Sequence, residues 1–169
     1  TLVFFSGTSA VRAFIERLGN AADFAQDDIG AMLAGTLVFA TLGALATAAL
    51  GKRFGNKWPF MLCLLMLMAA LFLLGVFTNF FVYTLGACLF AAAFGAGLPF
   101  AIAEVAELDG DGRYVVLTVA AIGMGAMIGP GVAGMLYTGE SAALVLGLVA
   151  LLMVVAAALM GFAHSRKVD

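Results

Sequence analysis

Arg12 and Glu16 stand four residues apart inside an apolar opening stretch, TLVFFSGTSAVRAFIERLGN. On a helix that spacing puts both on one face, and Thr8 and Ser9 extend the face by one turn. A guanidinium and a carboxylate on such a stripe can hold a charged group of a solute, or each other. Charges inside a membrane-length segment mark functional sites by default. The competing reading puts Glu16 and Arg17 at headgroup level, with Arg12 snorkelling toward them. In a later apolar stretch Asn79, Tyr83 and Cys88 are the polar or soft positions. Asn79 and Tyr83 share a face near one end and are candidates for the same cavity, although tyrosine is also common at membrane interfaces.

A second group is charged on both signs. Lys52, Arg53 and Lys57 crowd one short connector, and Glu104, Glu107, Asp109 and Asp111 precede Arg113 in another. Ion pairs between the two connectors would act as a gate, with Lys52, Arg53, Lys57, Glu104 and Arg113 as its parts. Exposed pairs are worth about 0–1 kcal/mol each, so they bias a two-state equilibrium rather than lock it. The plain alternative is a solvated charged rim.

Bond-breaking chemistry finds no support. Catalysis needs a nucleophile with a base, a metal, or paired carboxylates in a site. The single histidine, His164, lies in the polar tail, there is no G-x-S-x-G, and Cys63 and Cys88 sit in apolar stretches without a CxxC partner. The cysteines read as small core residues. No metal and no cofactor are expected, and the chain is not read as an enzyme.

The elements that must position these residues follow from composition. Of 169 residues, 64% are hydrophobic and 11% charged, against about half and a quarter in soluble domains. A soluble fold of this length cannot hide so much apolar surface. The bilayer is therefore the expected solvent, and the net charge of −2, with no basic patch, excludes nucleic acid as a partner. A span needs roughly 20 apolar residues. Six segments qualify: 1–18, 29–50, 58–78, 80–103, 114–137 and 142–163. Strand alternation is absent, which leaves an all-α bundle and excludes a β-barrel. The connectors are short, so neighbouring helices must run antiparallel, and 1–169 reads as one six-helix transmembrane domain. The chain opens at Thr1 directly in apolar sequence, which reads as a fragment or the second part of a longer protein.

Six of the basic residues, Lys52, Arg53, Lys57, Arg113, Arg166 and Lys167, fall on one side of this layout; Arg17 alone falls on the other. Basic residues favour the cytoplasmic side. The expected placement is an integral protein of the cytoplasmic (inner) membrane with a cytoplasmic C-terminus.

The fifth segment concentrates glycine and proline in GMGAMIGPGVAGML, residues 123–136. Between helices in lipid, small residues make the contact because leucine gains nothing over lipid. Gly125, Gly129 and Ala133 recur every four residues and share a face, which Gly123, Ala126 and Gly134 widen. Pro130 removes one backbone hydrogen bond and favours a kink. The strip is either a static packing face or one that slides during a conformational cycle. GAGLP, residues 95–99, similarly loosens the fourth segment.

GAMIGPGVAG resembles the G-x-x-x-G-P-x-x-G-G stretch of the major facilitator superfamily (MFS): Gly125, Gly129, Pro130 and Gly134 match, and Ala133 replaces a glycine. LGKRFGNKW resembles that family's loop G-x-L-a-D-R-x-G-R-R through Arg53, Gly55 and Lys57, with Lys52 in place of the aspartate and Asn56 in place of an arginine. DGDGRY is similar to the G-R that opens the corresponding helix. The resemblance covers the whole chain as one six-helix half. It implies the C-terminal half of a twelve-helix transporter, built from two inverted three-helix repeats. It further implies an N-terminal half as partner, a cavity lined by the first and fourth helices, and secondary active transport of a small solute by alternating access. Proton coupling is compatible with it, although no carboxylate sits clearly at the bilayer centre. The substrate cannot be read. The alternative is a six-span structural or assembly subunit that transports nothing; a channel is disfavoured because no ring-forming polar motif occurs.

Overall fold

The computed structural model describes residues 1–50, 57–76, 79–109, 113–137 and 142–165. These form six helices and, among the described residues, no strand: α1 (Leu2–Ala21), α2 (Gln26–Leu50), α3 (Lys57–Gly75), α4 (Phe80–Leu108), α5 (Arg113–Leu136) and α6 (Ala142–Ser165). Each overlaps one expected segment. At about 1.5 Å per residue even the shortest approaches 30 Å, the thickness of the hydrocarbon core. Four of them, α2 to α5, are long and apolar enough to cross a membrane. α1 carries Arg12, Glu16 and Arg17, and the described apolar stretch of α6 is the shorter Leu144–Leu159.

Local chemistry sets the visible ends. α1 stops where Asp23 takes a left-handed conformation (φ 57°) and the Phe24 N–H reaches back to the Gly19 carbonyl at 3.3 Å. That closure satisfies a carbonyl the helix would leave bare, and aspartate is among the few non-glycine residues that tolerate the geometry. α4 begins at Asn79, whose Oδ1 accepts from the Val82 N–H at 3.0 Å. Asp109 does the same for α5 from a distance, its Oδ2 accepting from the Val115 N–H at 2.8 Å. Its charge also suits the positive end of that helix.

The helices alternate in direction, and their contacts divide them into two triplets. α4 packs along α2 and α3, and α1 along α5 and α6, while α3 and α6 touch behind them. Gly43 of α2 meets Ala92 of α4 as Gly129 of α5 meets Ser6 of α1. The same displacement along the chain carries Ser6 to Ala92 and Gly43 to Gly129, so the second triplet repeats the contacts of the first. Tyr83 at the start of α4 lies beside Ile15 and Gly19 near the end of α1. Those two helices therefore run opposite ways, and the repeat is inverted. Phe4, Phe5, Phe60 and Phe94 meet ring to ring where α1, α3 and α4 converge, with centroids 5.6–6.4 Å apart, a spacing favourable for aromatic pairs.

Candidate functional site

Among the described residues, α1 gathers its charged side chains on one side, away from the buried Ser6 and Thr8. Arg12, Ala13, Glu16, Arg17 and Asn20 are exposed and Ser9 is half-buried, while Phe4, Val11, Phe14, Ile15 and Leu18 are buried. Positions 9, 12, 13, 16, 17 and 20 form a continuous helical stripe. It holds Ser9, Arg12 and Glu16 together as the spacing predicts, but not Thr8, which is fully buried and donates its hydroxyl to the Phe4 carbonyl at 2.9 Å. The two arginines diverge. Arg17 lies over the ring of Phe14 on its own helix, with the guanidinium carbon 5.2 Å from the centroid. Arg12 reaches across to α4 and lies 5.2 Å over Phe94.

Arg12 borders a cavity of about 340 Å³ walled by α1, α2 and α4. Leu33, Leu37, Phe90 and Phe94 supply much of its surface, and Arg12 is the one charged residue in its lining. Thr36 adds a hydroxyl, which donates to the Leu33 carbonyl at 2.6 Å. Glu16 shares the stripe but not this lining. A larger cavity of about 570 Å³ lies over α4 between α2 and α3, two consecutive helices that do not pack on each other. It contains no charge, and its one hydroxyl, Thr47, donates to the Gly43 carbonyl at 3.2 Å and the Ala96 carbonyl at 3.0 Å.

Asn79 and Tyr83 are placed elsewhere than the cavity. Asn79 is the cap of α4 described above. Tyr83 is fully buried and its hydroxyl donates to the Ile15 carbonyl, with Phe24 against its ring at 5.5 Å. It ties α4 to α1 from within. Cys88 is buried, as is Cys63.

The charged group expected at the rim is only partly described. Lys52 and Arg53 lie outside the described residues, as do the side chains of Lys57 and Arg113 at the starts of α3 and α5. Glu104 is 8% exposed, deeper than a solvated rim, and borders a cavity of about 330 Å³ with Val3, Phe4, Phe60 and Ala101. Glu107 is exposed.

The glycine strip of α5 is narrower than its sequence suggests. Gly125 and Gly129 press on α1: a Cβ on Gly125 would meet the Phe5 Cβ at 2.8 Å and the Leu2 carbonyl at 3.0 Å, and one on Gly129 would overlap the Ser6 carbonyl. Ala133 continues that face and is fully buried, and Pro130 is half-buried beside it. Gly123, Gly131 and Gly134 meet nothing within 4 Å, so Gly134 belongs to the open side. The α2–α4 pair approaches as closely as α1–α5, a contact the sequence does not single out. Gly43 of α2 abuts the Ala92 carbonyl, and Gly95 of α4 abuts the Ala40 carbonyl. This reciprocal approach suits Cα–H···O contacts. The Thr47 bond to Ala96 crosses the same seam, next to the Gly95 carbonyl that Pro99 leaves without its usual N–H partner. Gly43 has no motif to flag it, and GAGLP marks Gly95 as a loosening of the fourth segment rather than as a packing contact.

Two inverted helix triplets, apolar around most of their surface and with one charged stripe beside a cavity, define a polytopic membrane bundle of the transporter type. The family model of the Major Facilitator Superfamily matches residues 1–168, and the chain belongs to that superfamily, whose members move small solutes across membranes. Comparison with curated proteins and with solved structures gives no match.

Proposed function

We propose that this bundle is one half of a secondary active transporter and works by alternating access against a second six-helix half. The observation that carries the reading is the α1 stripe: Arg12 and Glu16 stand exposed along the helix with half-buried Ser9 beside them, whereas the exposed carboxylates described on α2 and α4, Asp27, Asp28 and Glu107, lie at helix ends. Lipid is a poor environment for that stripe, and a water-filled passage between two halves is a good one. The open small residues of α5, Gly123, Gly131 and Gly134, suit close approach of a partner helix. On this reading all six helices cross the inner membrane, and the C-terminal ends of α2, α4 and α6 are cytoplasmic, consistent with the basic residues of that side. Lys52, Arg53 and Lys57 would pair with Glu104 and its neighbours when that side closes. A charge swap, Lys52→Glu with Glu104→Lys, should restore transport that each single change lowers. A proton is a compatible coupling ion.

The test is site-directed labelling of the full-length protein in proteoliposomes, with Cys63 and Cys88 replaced. Single cysteines at Ser9 and Glu16 should react with a membrane-impermeant maleimide, and their rates should change when a transported solute or an ion gradient is applied. One at Val11 should stay unreactive. Unreactive stripe positions, or rates indifferent to every gradient and solute, would leave a structural subunit as the better account.

A further inference from the structure

The geometry points to a substrate class: a small organic anion, a carboxylate on an apolar body, held by Arg12 with its body against Phe90 and Phe94. This rests on the transporter reading above and sharpens it. The α1–α2–α4 cavity is about 340 Å³, in the range of small-ligand sites. Its lining is one-sided in chemistry. Arg12 is the one charged member; Leu33, Leu37, Phe90 and Phe94 are hydrocarbon, and the Thr36 proton is already given to Leu33.

Three classes of solute fare differently there. A cation would face Arg12 with no carboxylate in the lining to offset it. A polyhydroxylated solute would set its hydroxyls against leucine and phenylalanine, and a buried hydroxyl without a partner loses its hydration with nothing in exchange. A carboxylate gains paired N–H donors from a guanidinium whose planar fork matches it, and an apolar body gains from the walls. Phe94 adds a positioning role. Its ring lies 5.2 Å beneath the guanidinium and holds the fork over the cavity by cation–π attraction. An aromatic body would find its own stacking surface on Phe90.

The experiment uses the full-length protein in detergent, with its melting temperature followed against benzoate, hexanoate, benzamide, benzylamine and glucose. The two carboxylates should raise the melting temperature in a concentration-dependent way, and the other three should not. Arg12→Gln should weaken the carboxylate effect at least about 30-fold in apparent Kd, the loss expected for a charge pair that the bound solute's body shields from water. Arg12→Lys should retain part of it. Arg12 is exposed, so Arg12→Gln should keep the ligand-free melting temperature. Phe94→Leu, a variant that leaves the charge in place, should weaken both carboxylates, and Phe90→Leu should weaken benzoate more than hexanoate. Stabilisation by benzylamine or glucose at least as strong as by benzoate would overturn the assignment. So would a benzoate effect that survives Arg12→Gln, or no response to either carboxylate. Uptake assays separate this failure from the broader one. Uptake of some other solute would leave the transporter reading standing, whereas carboxylate binding without uptake of any solute would keep the site and remove the transporter.

Discussion

Gly129 of α5 rests on the main-chain carbonyl of Ser6 in α1, with no room between them for a methyl group. Five residues on, Gly134 faces open space. One sequence motif thus serves two surfaces, and the two should respond oppositely to bulk. Gly129→Ala should cost about 1–3 kcal/mol through overpacking, read as a lower melting temperature and a broadened size-exclusion peak in detergent. Gly134→Leu should leave the stability of the bundle near wild type and instead lower transport by the full-length protein.

The α2–α4 seam should be as intolerant. Gly43→Ala and Gly95→Ala each place a methyl group on a facing carbonyl, and each should destabilise by a similar amount. Thr47→Val keeps the shape and removes the hydroxyl bridging to Ala96. Interhelical hydrogen bonds in membranes average about 0.6 kcal/mol, so a shift of a degree or two in melting temperature is expected, clearly smaller than for either glycine.

Tyr83→Phe removes the bond to the Ile15 carbonyl without opening a cavity. The expected cost is about 1 kcal/mol, visible as a lower melting temperature. Because the hydroxyl is turned into the bundle, apparent KM should be unchanged. A raised KM at unchanged stability would return Tyr83 to the solute cavity.

The caps give a fourth check. Asn79→Ala and Asp109→Ala should each cost about 0.5–2 kcal/mol, whereas Asn79→Asp should be close to neutral. Hydrogen exchange should show the loss of protection confined to the first turn of α4 for the Asn79 variant and of α5 for the Asp109 variant.

Much of this architecture was legible in the order of residues, and the places where it was not share a cause. The α1 stripe was legible because Ser9, Arg12 and Glu16 contrast with the apolar residues between them. Lys57 sits at a helix boundary that a polar connector announces, whereas α4 runs past its expected end at 103, through Glu104 and Glu107, to Leu108. The faces of α2 and α4 carry no such contrast. Gly43, Ala92 and Gly95 lie among apolar residues on every side, and a residue facing lipid is as apolar there as one facing a neighbour. Tyr83 was read as an interface or cavity residue because tyrosine suits both; its burial depends on an Ile15 carbonyl far away in the chain. Glu104 reads as rim from the sequence for the same reason, since its depth depends on Phe4 and Phe60, both far away in the chain.

By itself, then, the chain's composition determined the solvent, the helical class, the six segments and the charged side of α1. These are local matters: length of apolar run, period of the polar residues, and the need of every backbone group in lipid for an internal partner. Tertiary structure decided which glycines touch backbone and which stay open, that Arg12 turns over Phe94 while Arg17 folds back on Phe14, and that Tyr83 faces inward. Those outcomes rest on close approach between segments far apart in the chain. In a medium as apolar as the side chains, hydrophobicity does not distinguish one face of a helix from another, so shape alone makes the choice.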